Sequence, residues 1–100
     1  MDSEFAQLGV DFNNNARKIF FVLYTEFSDS IKKLDRKKDD NVFQQQQGKY
    51  LHALKSQLEG LAREILNKNR TAKSIEQLNR RLMDEINMYL NEFRQKSRSL

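Results

Sequence analysis

The chain has 100 residues, of which 38% are hydrophobic and 32% charged, and its formal net charge is +4. The absence of cysteine excludes a disulfide framework, thiolate zinc sites and a cysteine nucleophile. The single histidine excludes a metal site built from several histidines, and we expect neither a metal nor a cofactor.

The first third of the chain predicts a long amphipathic helix over residues 3–37. The run 19–24 is apolar and by itself would also fit a buried strand. The three- and four-residue spacing on both sides favours a helix, as does the absence of proline from the whole chain. The apolar residues with this spacing are Phe5, Leu8, Phe12, Ala16, Ile19, Leu23, Phe27, Ile31 and Leu34.

A polar break at residues 39–41 separates this helix from a second one, predicted over residues 42–67. Asn41 and Gln44 have the spacing of a capping box, in which each side chain satisfies a free backbone group of the first turn. Gly48 and Gly60 lie inside the second helix. Each should either cost about 1 kcal/mol relative to alanine or permit a close helix contact, and Gly48 also predicts fraying of the first turns.

A second break at residues 67–71 precedes a third helix, predicted over residues 72–96. Asn67 and Asn69 tolerate the left-handed backbone that ends helices, Thr71 can cap the next helix, and residues 97–100 are expected to fray. Three apolar stripes joined by two short breaks predict an all-α fold, an elongated antiparallel three-helix bundle running up-down-up within one domain over residues 1–100. Exchange of the third helix with a second copy is the alternative arrangement.

Helix 1 carries more apolar surface than one flank of a bundle can cover. Six of the ten aromatic residues lie in the first 27 positions. On a helical wheel, Val10, Phe21 and Tyr24 fall about 100–160° from Phe5, away from the predicted core stripe. Either helix 1 packs over an unusually wide arc, or these residues, with Phe20 beside them, form an exposed surface that binds a partner helix or a second copy.

The charge distribution permits a second interpretation. Residues 1–30 carry a net charge of −3 and residues 31–100 carry +7. Basic residues near the second break and on helix 3 predict, as an alternative, a nucleic-acid surface. These residues are Arg63, Lys68, Arg70, Lys73 and Arg80. The simplest interpretation of these basic residues is a solvated polar face, and binding of an acidic protein partner is another.

No catalytic signature is present. His52 falls on the polar side of helix 2, and the neighbouring carboxylates Asp84 and Glu85 do not face each other on a helix. Met83 and Met88 are expected to be core filler and ordinary surface. The longest apolar run is far shorter than the roughly 20 residues of a membrane span, and the acidic N-terminus is unlike a secretory signal.

We therefore expect a cytoplasmic, non-enzymatic protein-interaction module, such as a small helical adaptor, chaperone or accessory protein. The partner would be another protein or a second copy, with no membrane and no small-molecule substrate. Besides nucleic-acid binding, the alternative is a self-assembling coiled-coil subunit.

Overall fold

A computed structural model describes residues 3–35, 37–69 and 75–99, with side chains described from residue 7 onward. It contains three helices: α1 (Ser3–Ile31), α2 (Asp40–Lys68) and α3 (Ile75–Arg98). Each helix contacts the other two, and the molecule measures 53 × 17 × 16 Å. The predicted all-α, elongated three-helix bundle is therefore confirmed. Within the described helices, none is both long and apolar enough to cross a bilayer.

The core runs along the whole bundle and is built from one face of each helix. The alternation of three- and four-residue steps places these side chains on a single stripe, which is what buries them together. The most deeply buried hydrophobic side chains, each at most 2% exposed, are Phe12, Ala16, Phe27, Leu54, Leu58, Ala62, Leu78, Leu82 and Phe93.

Contacts of Phe27 near the end of α1 fix the directions of the three helices. Its ring lies 5.6 Å from that of Phe43, at the start of α2, and 5.4 Å from that of Phe93, towards the end of α3. Gln47 of α2 donates a 2.5 Å hydrogen bond to the hydroxyl of Ser97, which is fully buried. α2 is therefore antiparallel to α1, whereas α3 is parallel to α1.

Helix 1 ends six residues earlier than the apolar spacing predicts, at Ile31 instead of residue 37. The aspartates of the connection offer the backbone local alternatives to helical bonds. The amide of Lys37 donates to the carboxylate of Asp35, and the amide of Asp35 donates to that of Asp39, both at 3.0 Å. Leu34 still packs against the core, so the spacing predicted its burial correctly but not its helical conformation.

The predicted capping box at the start of α2 is wrong. The helix begins at Asp40, so Asn41 already lies inside it, and the flanking Asp39 makes no side-chain cap bond. The Gln44 amide instead donates to the Asp40 carboxylate at 2.9 Å. At the other end, Asn69 has φ −122° and not the predicted left-handed conformation, and its side chain donates to the carbonyl of Ile65 at 2.7 Å.

The remaining boundary predictions are corrected in part. α2 is continuous through Gly48, so its predicted fraying is not observed, and a Cβ built at Gly48 or Gly60 meets open space instead of a close helix neighbour. The predicted cap Thr71 lies outside the described residues. α3 extends to Arg98, and Ser97 is buried instead of frayed.

Candidate functional site

A groove lies between α1 and α3 in the described part of the chain. The parallel course of these two helices places Arg17 opposite the second half of α3. The groove has a volume of about 260 Å³ and is lined by Arg17, Phe20, Met88, Tyr89, Glu92 and Lys96. Phe20 and Tyr89 are buried and form its floor, at 8% and 3% exposed.

Met88 lines this groove, and two further exposed apolar side chains lie on the solvent-facing side of α1; we refer to Val10, Phe21 and Met88 as the apolar strip. Val10 is 49% exposed, Phe21 70% and Met88 51%. Val10 and Phe21 are separated by three helical turns and differ by only about 20° around α1. They therefore share one face of α1, and Met88 lies across the groove on α3.

Of the residues predicted to form the docking surface of helix 1, some are buried in the core and others are exposed to solvent. Phe20 is buried, and its ring lies 5.8 Å from that of Phe93 and 6.0 Å from that of Tyr89. Assigning Phe20 to an exposed surface was therefore wrong, because α3 covers this flank of α1. Val10 and Phe21 are exposed as predicted.

Tyr24 is intermediate in exposure between the buried Phe20 and the exposed Phe21. Its ring is half-buried, edge-on to Phe93 at 5.5 Å, and its hydroxyl donates to the backbone carbonyl of Lys96 at 3.2 Å. Partial burial raises the pKa of this hydroxyl. Tyr24 therefore links α1 to α3, and only part of its ring is accessible to a partner.

A polar contact crosses the groove at Tyr89. The Tyr89 hydroxyl donates to the side-chain oxygen of Asn13 and lies 3.4 Å from the carbonyl of the same residue. Burial raises the pKa of the Tyr89 hydroxyl, and the neighbouring Arg17 guanidinium opposes this shift. The contact satisfies a buried hydroxyl and fixes the register of α1 against α3.

Glu85 of α3 also faces α1, next to a close approach of the two helices. Its Oε1 lies 3.7 Å from Nε of Arg81, whereas Oε2 is buried with no hydrogen-bond partner. Burial raises the pKa of Glu85, and Arg81 partly opposes the shift. The Arg81 guanidinium rests on α1 at Gly9, where a Cβ would come within 2.9 Å of it.

The basic residues of the nucleic-acid alternative are not brought together by any contact in the described part of the chain. Arg63, Lys68 and Arg80 are exposed, and Arg70 and Lys73 lie outside the described residues. Arg80 has Glu76 and Asp84 one turn away on either side of it, on the same face of α3.

Within the described part of the chain, no exposed aromatic side chain on which a base could stack lies beside these cations. Of the aromatic side chains described, only Phe21 is exposed, and it lies on α1 instead of α2 or α3. Single-stranded nucleic acid is usually held by exposed rings within a basic groove. The geometry therefore favours a solvated polar face for Arg63, Lys68 and Arg80.

Two further features are His52 and a depression between α2 and α3. His52 is exposed, as predicted, and the described residues contain no group of three or more side chains that could hold a metal ion. A depression of about 390 Å³ between α2 and α3 is lined by Leu66 and Ile75. It lies at the end of α2 and the start of α3.

Sequence reasoning missed Met88 and Glu85. Met88 was expected to be ordinary surface, and it is 51% exposed, but the helical wheel of α3 gave no link between it and α1. Glu85 was considered only as the neighbour of Asp84. The parallel course of α1 and α3 decides where these side chains lie, since it puts this edge of α3 next to Arg17.

No protein-family model, curated protein or solved structure matches the chain.

Proposed function

We propose that this protein is a non-enzymatic interaction module that binds an amphipathic helix along the apolar strip. The observation that carries the proposal is the exposure of Phe21, a large aromatic side chain that is 70% accessible on a regular helix. Val10 lies on the same face of α1, and Met88 extends the apolar surface onto α3. Apolar residues grouped in this way mark protein-binding surfaces.

Phe21 is large enough to anchor a partner. A buried phenylalanine removes about 150–250 Å² from water, so covering the exposed part of Phe21 is worth about 3 kcal/mol. Val10 and Met88 add further apolar area on either side of the groove. A surface with one such anchor is of the kind in which a single aromatic residue carries much of the binding energy.

The dimensions of the strip suit a helical partner. Val10 and Phe21 are about 16 Å apart along α1, which corresponds to three turns of an opposing helix. Apolar side chains at every third or fourth position of that helix would contact the strip in turn. Arg17 lies between the two anchors and, with Lys96 and Glu92, supplies a polar rim. A hydrogen-bond acceptor at the centre of the partner would meet Arg17.

A selection experiment tests this proposal. A displayed library of amphipathic helical peptides is selected for binding to the wild-type protein, and the peptides obtained are measured against two variants. Phe21→Glu places a charge in the strip. Val22→Glu is the matched control, because Val22 is 52% exposed but lies about 100° away around α1.

We expect the selected peptides to lose at least about 30-fold in affinity for Phe21→Glu, the effect of losing a hot-spot residue. Their affinity for Val22→Glu should change by less than about threefold, since rim positions contribute little. Far-ultraviolet circular dichroism verifies that both variants remain helical. Peptides that bind Phe21→Glu as tightly as the wild type, or a selection that yields no binders, would refute the proposal.

A further inference from the structure

We propose that the occupant of the apolar strip is the same strip of a second copy, with the two α1 helices antiparallel about a two-fold axis between residues 15 and 16. This inference rests on the proposed function and names its partner. An isologous dimer needs a surface that is complementary to itself under a two-fold rotation. The positions of the apolar and charged residues along α1 meet that requirement.

Shape complementarity follows from the spacing of the strip. In the antiparallel arrangement, each position on α1 faces the position at equal distance on the other side of the axis. Val10 then packs against Phe21 of the second copy, and this large–small contact occurs twice. Asn14 faces Arg17 of the second copy, so the charged side chain of Arg17 meets the neutral hydrogen-bonding side chain of Asn14.

Charge complementarity selects the antiparallel arrangement over the parallel one. Asp11 and Lys18 are exposed and differ by only about 20° around α1, so they lie on the same flank of the strip. Antiparallel helices bring Asp11 of each copy beside Lys18 of the other. A parallel pair in register would place the Asp11 and Lys18 flanks of the two copies on opposite sides of the interface, which removes these pairs, and would bring Arg17 opposite Arg17 of the other copy.

Met88 completes the surface at the axis. It shares the groove with Arg17 and therefore lies near the level of the axis. On the helical wheel of α3, Met88 points about 100° away from Tyr89, towards the side that the second copy would occupy. The two Met88 side chains would meet there and cover the centre of the interface.

The expected association is weak because each copy contributes only three exposed apolar side chains. Interfaces that bury less than about 1,200 Å² are typical of transient complexes, so we expect a dissociation constant on the order of 10–100 µM. Sedimentation equilibrium over a wide concentration range measures it. Phe21→Glu should weaken dimerisation by at least about 30-fold. Val42→Glu, a change at an apolar side chain that is 40% exposed on α2 and therefore lies off the helices that form the strip, should leave it within about threefold.

Cysteine cross-linking tests the orientation, and the chain offers a clean background because it contains no cysteine. Val10→Cys and Phe21→Cys proteins are oxidised separately and as a mixture. The antiparallel dimer predicts a mixed disulfide between the two variants and little product from either alone. Products from each variant alone, with no preference for the mixed species, would indicate a parallel pair and overturn the inference.

The outcomes separate this inference from the proposed function. A wild-type protein that remains monomeric at the highest concentration, or a dimer unaffected by Phe21→Glu, overturns self-association through the strip. The peptide selection is read independently of the oligomeric state. Helical peptides that lose affinity for Phe21→Glu would therefore still support the proposed function when the dimer is absent.

Discussion

Replacing Glu85 with glutamine should stabilise the protein at neutral pH. The Glu85 side chain is 21% exposed, and its Oε2 is buried without a hydrogen-bond partner. Burial disfavours the ionised form and raises the pKa, while Arg81 opposes the shift only in part. Glutamine keeps the shape of the side chain and removes the charge that is costly to bury.

Two opposing terms set the magnitude. An unsatisfied buried acceptor costs about 1–3 kcal/mol, and the remaining access of Glu85 to water places it at the lower end of that range. The ion pair offsets up to about 1 kcal/mol, because Arg81 is 51% exposed and 3.7 Å away. The difference between these terms is about 0–1 kcal/mol. We therefore expect Glu85→Gln to raise the free energy of unfolding by up to about 1 kcal/mol, which corresponds to an increase of at most about 4–8 °C in Tm.

The difference in the free energy of unfolding between the glutamine and glutamate proteins should depend on pH in a defined direction. Because the pKa of Glu85 is raised in the folded state, protonation of Glu85 stabilises the fold. This stabilisation is fully present below the ordinary pKa of 4.5 and is lost as the pH rises through the folded-state pKa. The advantage of glutamine over glutamate should therefore be full near neutral pH, shrink as the pH falls through the folded-state pKa and vanish below the ordinary pKa of 4.5.

Urea unfolding of both proteins, followed by circular dichroism over this pH range, measures the difference. Glu92→Gln is the matched control, since Glu92 is 44% exposed and lies 3.5 Å from the Lys96 ammonium. It should change the free energy of unfolding by less than about 0.5 kcal/mol. A Glu85→Gln protein that is less stable than the wild type at neutral pH would refute the reasoning, because the ion pair would then outweigh the burial.

The remaining predictions concern stability and are measured by the same unfolding assay. Gly48→Ala and Gly60→Ala should each stabilise the protein by about 0.5–1 kcal/mol, because a Cβ at either position meets open space inside a helix; a loss of stability would contradict this. Ser97→Ala should cost about 1 kcal/mol, since it removes the buried acceptor of a 2.5 Å hydrogen bond from α2; an unchanged midpoint would show that this bond contributes nothing. At monomeric concentrations, Phe20→Ala should cost about 3–5 kcal/mol and Phe21→Ala less than about 0.5 kcal/mol; similar losses would contradict their different burial.

Periodicity predicted the fold because the bundle is held by the same stripes that define the helices. It failed where local hydrogen bonding competes with helical bonding. Leu34 continues the stripe of α1 and packs on the core, yet the helix ends at Ile31 because the carboxylates of Asp35 and Asp39 accept backbone amides of the connection. Such Asp-based turns depend on side-chain geometry that spacing alone does not encode.

The site was predicted only in part because a helical wheel does not show where a neighbouring helix sits. The wheel placed Phe21 and Tyr24 about 100–160° from Phe5, away from the core stripe, and Phe20 was grouped with them. α3 packs on one side of this group, so it buries Phe20, half-covers Tyr24 and leaves Phe21 exposed. The same packing brings Met88 to the groove, although α3 alone gave no reason to connect it with helix 1.

The adjacent residues Phe20 and Phe21 lie on different faces of α1 and differ in exposure. Phe20 is 8% exposed and packs in the ring cluster, so folding of one copy accounts for it. Phe21 is 70% exposed, and phenylalanine is a poorer helix former than lysine, glutamate or glutamine. Folding of a single copy therefore gives no advantage to an aromatic side chain at position 21. Because Met88 continues this face onto α3, a partner that covers the strip must contact both helices, and α3 would then position the binding surface as well as complete the core.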